Sequence, residues 1–255
     1  MDSIGSVRVG KGYPIVLLHG FCETKEIWWE FGRELSLAGY DVIAPDLPGF
    51  GSSPLGELKS IDEIGNAIRE WLDSQGIKKP VLVGHSLGGY VALAMAAAIP
   101  DAFPGLVLFH STIFEDSEER KNNRNRIIDF VGKHGVEPYI ETFVPGLFAD
   151  PHQIAIPAFK SIAMGTKANE LLAYTAIMRD RPSREEFVKS YRGKVLVIGG
   201  DLDTIIPPNV ARQISELAPM GFLCVLEQTA HMGMYESPGK AIGCMVDFFK
   251  IATLE

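Results

Sequence analysis

The sequence predicts an α/β protein, a mostly parallel, twisted sheet of about seven or eight strands with helices on both faces. Three observations predict it. Short continuous apolar runs end at turn residues, longer stretches of helical periodicity separate them, and the chemistry-bearing residues follow directly on the runs. Continuous rather than alternating apolar runs are what strands covered on both faces need. Strand–helix alternation argues for parallel connections, and such sheets collect their reactive groups in the loops beyond the strands' carboxyl ends.

The elements follow in order. A first strand falls around residues 6–9. The run 15–18 ends at His19 and Gly20, 41–44 at Pro45 and Asp46, and 81–83 at Gly84. The run 106–109 ends at His110 and Ser111, 195–198 at Gly199 and Gly200, and 222–226 at Glu227. Helical patterns lie between them at 26–37, 61–75, 87–99, 208–217 and 238–252. From Thr112 to Arg192 no strand pattern occurs, and helical stretches at 115–134, 136–147, 151–164, 166–179 and 183–190 replace it. The expected organisation is a core at 1–111 and 193–255, with a helical cap, or lid, at 112–192 over the carboxyl edge.

Composition narrows the function. The chain has 255 residues and a formal charge of −8, with no compact basic block, so nucleic acid is not an expected partner. The most apolar stretch, 91–99, is short of the roughly 20 residues of a membrane span. The first residues carry no basic region followed by an apolar run, so no secretory signal is expected. Cys22, Cys224 and Cys244 show no paired spacing. Neither a disulfide framework nor a zinc site is therefore expected, and a reducing, cytoplasmic location fits. No Walker loop, dinucleotide fingerprint or His-Glu-x-x-His motif is present, and no cofactor or metal is expected. The mixed charge run 115–126 reads as a solvated helix face.

The strongest local signal is Gly84-His85-Ser86-Leu87-Gly88, a Gly-x-Ser-x-Gly pattern after a buried strand and before an Ala- and Leu-rich helix. A nucleophile on so sharp a turn needs small neighbours two positions away, and the following helix aims its free N–H groups at the site. A serine hydroxyl also needs a base, and the base an orienting carboxylate. Asp203 and His231 follow, each just beyond a later strand. Asp201 competes with Asp203 for the acid role. The turn at His19-Gly20-Phe21-Cys22 exposes backbone N–H groups, so Phe21 and Leu87 are the expected oxyanion donors. His19 is expected to brace that turn, and Cys22 to be a small buried side chain. Phe143 and Phe148 belong to an apolar cluster of the cap, part of which could roof a pocket. With Ile205 and Met232, they are the candidate substrate-binding residues.

Together, His19-Gly20, the loop from Asp46 to Ser52, the Ser86 turn, the Asp203 loop and the His231 loop resemble the α/β-hydrolase superfamily. The resemblance implies Ser86 as nucleophile, His231 as base and Asp203 as acid. It also implies a lid between strands six and seven of the usual eight, although the short leader before Ile15 leaves room for seven strands. The implied activity is cleavage of an ester-like bond through an acyl-enzyme, on a small molecule with an apolar portion. The alternatives are a ligand-binding or sensor protein on the same scaffold, a thioesterase, or a carbon–carbon bond hydrolase.

Overall fold

The computed structural model describes residues 4–254. The outermost residues of the expected core, 1–3 and 255, lie outside the described residues. Seven strands build one sheet: β1 (Ser6–Gly10), β2 (Tyr13–Leu18), β3 (Tyr40–Pro45), β4 (Val81–His85), β5 (Gly105–Phe109), β6 (Lys194–Gly200) and β7 (Gly221–Leu226). Their spatial order is β1-β3-β2-β4-β5-β6-β7. β1 runs antiparallel to β3, and the other neighbouring pairs are parallel.

The order turns back at β2, with β3 on one side and β4 on the other. Leu18 stands opposite Gly84 in the register, so the carboxyl ends of β2 and β4 are neighbours. Loops leaving adjacent strands in opposite directions open a crevice between them. The turn at Phe21 and the turn at Ser86 flank that crevice.

Burial follows the apolar runs in the centre of the sheet, where β4 and β5 are buried at every position. At one edge only Cys224 and Leu226 of β7 are buried, so that run forms an edge strand and not one covered on both faces. At the other edge Arg8 and Asp41 make a charged pair at 2.6 Å, the kind of rim that discourages further strand pairing.

Helices cover both faces. α1 (Trp29–Leu37) packs with α11 (Pro238–Ala252), and α2 (Ile61–Ser74) with α3 (Leu87–Ala98). α3 is buried from Leu87 through Ala96 because it lies against β2, β4 and β5 under α2; a helix enclosed in this way is apolar all round. α2 shows one buried face and starts at Ser60, whose Oγ accepts the Glu63 N–H at 3.2 Å. α9 (Pro208–Leu217) packs on β6 and β7.

Five helices stand between β5 and β6: α4 (Glu118–His134), α5 (Val136–Phe143), α6 (Ile156–Met164), α7 (Ala168–Asp180) and α8 (Glu185–Ser190). In a sheet of seven strands this insertion follows the fifth strand, not the sixth. The expected place was counted on a sheet of eight strands, and the described residues form seven. α10 (Gly233–Glu236) is a single turn just after His231.

The cysteines depart from expectation. Cys224 of β7 and Cys244 of α11 are disulfide-bonded. β7 and α11 pack side by side, a proximity that a spacing of 20 residues does not reveal. The cysteine count therefore gives no support to a reducing compartment. Cys22 is free and buried, and burial pushes its thiol pKa up, away from nucleophile chemistry. Among the described residues no helix is long and apolar enough to cross a membrane.

Candidate active site

Ser86 joins β4 to α3 with φ 51° and ψ −114°, a conformation that side-chain-bearing residues seldom adopt. Its neighbours explain how it is reached. A Cβ on Gly84 would fall 2.4 Å from the Gly88 backbone, and one on Gly88 would fall 2.2 Å from the Leu18 carbonyl oxygen. Strand and helix cross too closely here for any side chain. β5 fixes the turn from behind: the Ser86 N–H donates to the Phe109 carbonyl at 3.0 Å. The Ser111 hydroxyl donates to the Ser86 carbonyl at 2.7 Å.

The loops after β6 and β7 meet, with the Leu202 N–H donating to the Thr229 carbonyl at 3.0 Å. That contact sets Asp203 beside His231. Asp203 Oδ1 accepts the N–H groups of Ile205 and Ile206 at 2.8 and 2.9 Å. Its Oδ2 accepts from Nδ1 of His231 at 2.8 Å and from Nδ1 of His110 at 2.9 Å. Burial pushes the Asp203 pKa up, but His231 and His110 outweigh it and hold the carboxyl well below its usual range. Asp201 takes a different part, accepting the Thr229 N–H at 3.2 Å and bracing the loop.

His110 was legible in the sequence only as a strand end. It follows β5 with φ 49°, and its Nε2 is buried with no partner among the described residues. Burial, only partly offset by Asp203, pulls its pKa down to about 4. The ring is neutral, with its proton on Nδ1. Its position at the same sheet edge as Ser86, Asp203 and His231 was the available signal. Ligand atoms of His110, Asp203 and His231 lie within 4.8 Å of one another, as a metal set would, yet both Nδ1 atoms are engaged as donors to Asp203.

A second buried charge pair stands behind the turn at Phe21. His19 accepts the Leu47 N–H at 2.9 Å and donates to the Gly20 carbonyl at 2.8 Å, which braces the turn. Glu23 accepts the Gly20 N–H and Nδ1 of His85 at 3.0 Å. The other nitrogen of His85 faces the His231 carbonyl oxygen at 2.9 Å. Both partners accept, so His85 carries both protons. Burial pushes its pKa down, and Glu23 together with that carbonyl reverses the effect and raises it. Burial likewise pushes Glu23 up, and His85 brings it below the usual range. One ion pair thus ties together the loop after β2, the Ser86 turn and the His231 loop. Sequence reasoning gave Glu23 no role, because 62 residues separate it from His85.

Ser86, His231 and Phe21 line one cavity of about 490 Å³. Leu87 is buried as the first residue of α3, where N–H groups have no intrahelical acceptor. Phe143 and Ile205 are on the cavity wall. Phe148 and Met232 are not: Phe148 packs against Phe159 and Tyr235, and Met232 is fully buried. The rest of the wall comes largely from the insertion, with Ile127, Tyr139, Leu147 and Met178 beside Arg120, Asn123 and Arg124. The charge run 115–126 is therefore not simply a solvated face. Residues 120, 123, 124 and 127 recur at helical spacing on one side of α4, and that side looks toward Ser86. The insertion also holds the His231 loop, because the His231 N–H donates to the Leu147 carbonyl at 2.9 Å.

Comparison with known proteins agrees with this architecture. Residues 13–135 match the family model described as the alpha/beta hydrolase fold. Lipase 1 of Psychrobacter immobilis is 26% identical over 246 residues, covering 89% of this chain and 73% of the lipase. A pimeloyl-[acyl-carrier protein] methyl ester esterase of Vibrio cholerae is 28% identical over 244 residues, covering 87% of this chain and 88% of the esterase. A thermophilic esterase from Thermogutta terrifontis, with malate bound, superposes with a TM-score of 0.92 at 26% identity, covering 98% of this chain and 94% of that one. The sheet order, the inserted helices and the residues at the sheet's carboxyl edge define the class. This chain has the alpha/beta hydrolase fold and is a hydrolase.

Proposed function

We propose that this hydrolase cleaves carboxylic ester-like bonds through an acyl-enzyme formed on Ser86. His231 accepts the Ser86 hydroxyl proton as Oγ attacks the carbonyl carbon. Asp203 holds the imidazole by Nδ1 and stabilises its charged form. The backbone N–H groups of Phe21 and Leu87 receive the oxyanion. The tetrahedral intermediate collapses, the carbon–alkoxy bond breaks, and His231 returns the proton to the leaving alcohol. Water, deprotonated by His231, then attacks the acyl carbon and releases the acid, regenerating Ser86. No step requires a cofactor.

The observation that carries the reading is the 2.8 Å contact of His231 with a four-fold hydrogen-bonded Asp203, on the cavity that Ser86 also lines. The segment 112–192 acts as the cap of that cavity, excluding water and selecting the substrate. The esterase and lipase relatives support the choice of bond.

Fluorophosphonate labelling together with p-nitrophenyl acetate turnover tests it. Prompt labelling and steady turnover are expected, both lost in Ser86→Ala, with the rate falling at least about 10⁴-fold. Stoichiometric ligand binding without labelling or turnover, by folded protein, would favour the sensor reading.

A further inference from the structure

The cap-side wall of the cavity carries positive charge that the fold does not neutralise. Asp116 is buried and is shared by two guanidiniums, Arg124 Nε at 2.8 Å and Arg181 Nη1 at 2.8 Å. One carboxylate therefore faces two cations. Arg120, one turn before Arg124 on α4, has no carboxylate within 4 Å among the described residues. Its side chain makes one hydrogen bond, from Nη2 to the Ile205 carbonyl at 2.5 Å, although a guanidinium offers five N–H donors. Arg120 is half-buried and lines the same cavity as Ser86 and His231. The one carboxylate lining the cavity among the described residues, Glu23 on the core side, is matched by His85. In a chain of net charge −8, an uncompensated arginine inside the catalytic cavity is a local reversal of sign.

We propose that Arg120, with Arg124 beside it, binds a free carboxylate of the substrate, so that the cavity takes esters bearing an acid group on an apolar segment. The claim rests on the ester-cleaving reading above and narrows its substrate class. Arg120 supplies the planar, charged fork that suits a carboxylate. Ile127, Phe143 and Met178 supply apolar wall in the same cavity. The bond to the Ile205 carbonyl fixes the guanidinium next to the Asp203 loop, which lowers the entropy cost of holding it for a ligand.

The test compares kcat/KM for two matched series. Methyl half-esters of succinic, glutaric and adipic acid are set against methyl esters of monocarboxylic acids of equal length. Butyrate esters of ω-hydroxy acids are set against butyrate esters of simple alcohols. The two series place the carboxylate in the acyl or the alcohol half. In one of them the acid-bearing ester is expected to lead by about 10–100-fold, the size of one charge-assisted hydrogen-bonded contact. That ratio should fall by the same factor in Arg120→Gln, be only partly kept in Arg120→Lys, which retains the charge without the fork, and shrink in the wild type as salt is added. A wild type that prefers the neutral ester in both series overturns the proposal, and so does a ratio unchanged in Arg120→Gln. If no ester of either kind is cleaved, the ester reading fails instead. Calorimetric binding of glutarate then judges the anion site, and it must weaken at least about tenfold in Arg120→Gln.

Discussion

The two sides of the cavity are built on opposite plans. On the core side every charge is buried and answered: Asp203 by two imidazoles and two backbone N–H groups, Glu23 by His85 and the Gly20 N–H. These groups sit on turns whose backbone is fixed by close crossings, such as Gly88 against the Leu18 carbonyl. On the side of α4, α5 and α7 the cavity is lined by two half-buried arginines and by the exposed Asn123 and Thr142, and Arg120 has no acidic partner among the described residues. The difference teaches where each property resides. The proton transfer proposed for Ser86 and His231 needs groups held within fractions of an ångström, a demand that rigid strand ends suit. Discrimination between substrates needs reach and unsatisfied bonding capacity, which a helical insertion carries without disturbing the sheet.

Breaking the core side should have the largest effect. Asp203→Asn is expected to lower kcat about 10³–10⁴-fold while Asp201→Asn stays within a few-fold, measured as steady-state ester hydrolysis. The reverse ranking would mean that the acid role belongs to Asp201. Glu23→Gln is expected to destabilise the fold by about 3 kcal/mol in urea unfolding, because it strips the counter-charge from a buried imidazolium. Loss of the Gly20 and His231 tethers should also lower kcat by up to about 10²-fold. A stable, fully active Glu23→Gln protein would show that the pair is dispensable.

A subtler break uses pH. His110 has a folded pKa of about 4, against roughly 6.5 in the unfolded chain. Between these values the unfolded state binds more protons, so stability falls as pH falls, by about 3 kcal/mol across the window. Asp203 and Glu23, both depressed, act in the same direction at lower pH: their contribution is present above about pH 4 and is lost as pH drops toward their folded values. His110→Asn keeps a donor for Asp203 and tolerates φ 49°. It should flatten the stability profile between about pH 6.5 and 4, as followed by denaturation midpoints. An unaltered profile would remove His110 from the account.

The smallest effect is expected at the exposed surface of the inserted helices. Lys160 and Glu141 form an ion pair there, with Glu141 49% exposed. Glu141→Gln should cost less than about 1 kcal/mol, since solvent screens such a pair. A loss as large as that of Glu23→Gln would erase the contrast between the two sides.

Most of the core was legible in the order of residues. The runs at 15–18, 41–44, 81–83, 106–109 and 195–198 became strands because an apolar run closed by glycine or a polar turn has few other ways to bury itself. The Gly84, Ser86 and Gly88 spacing forced a turn that only small residues permit. Helices 208–217 and 238–252 formed at the expected bounds, each starting on a proline. The run at 222–226 gave the right strand and the wrong surroundings, because apolar content cannot say whether a second neighbour will arrive.

What the sequence alone determined, then, is the strand–helix alternation and the set of polar residues at the carboxyl edge. Those features are local, written in periodicity and in the steric demands of single turns. Only the tertiary structure decided which of those residues meet. It set Asp203 and not Asp201 against His231, brought His110 to the same oxygen, paired Glu23 with His85, and joined Cys224 to Cys244. It also turned Arg120 and Arg124 toward Ser86 while moving Phe148 and Met232 off the cavity wall. Each of these is a contact between residues far apart in the chain. Its energy depends on distance and burial, which exist only once the sheet has set the strand ends side by side.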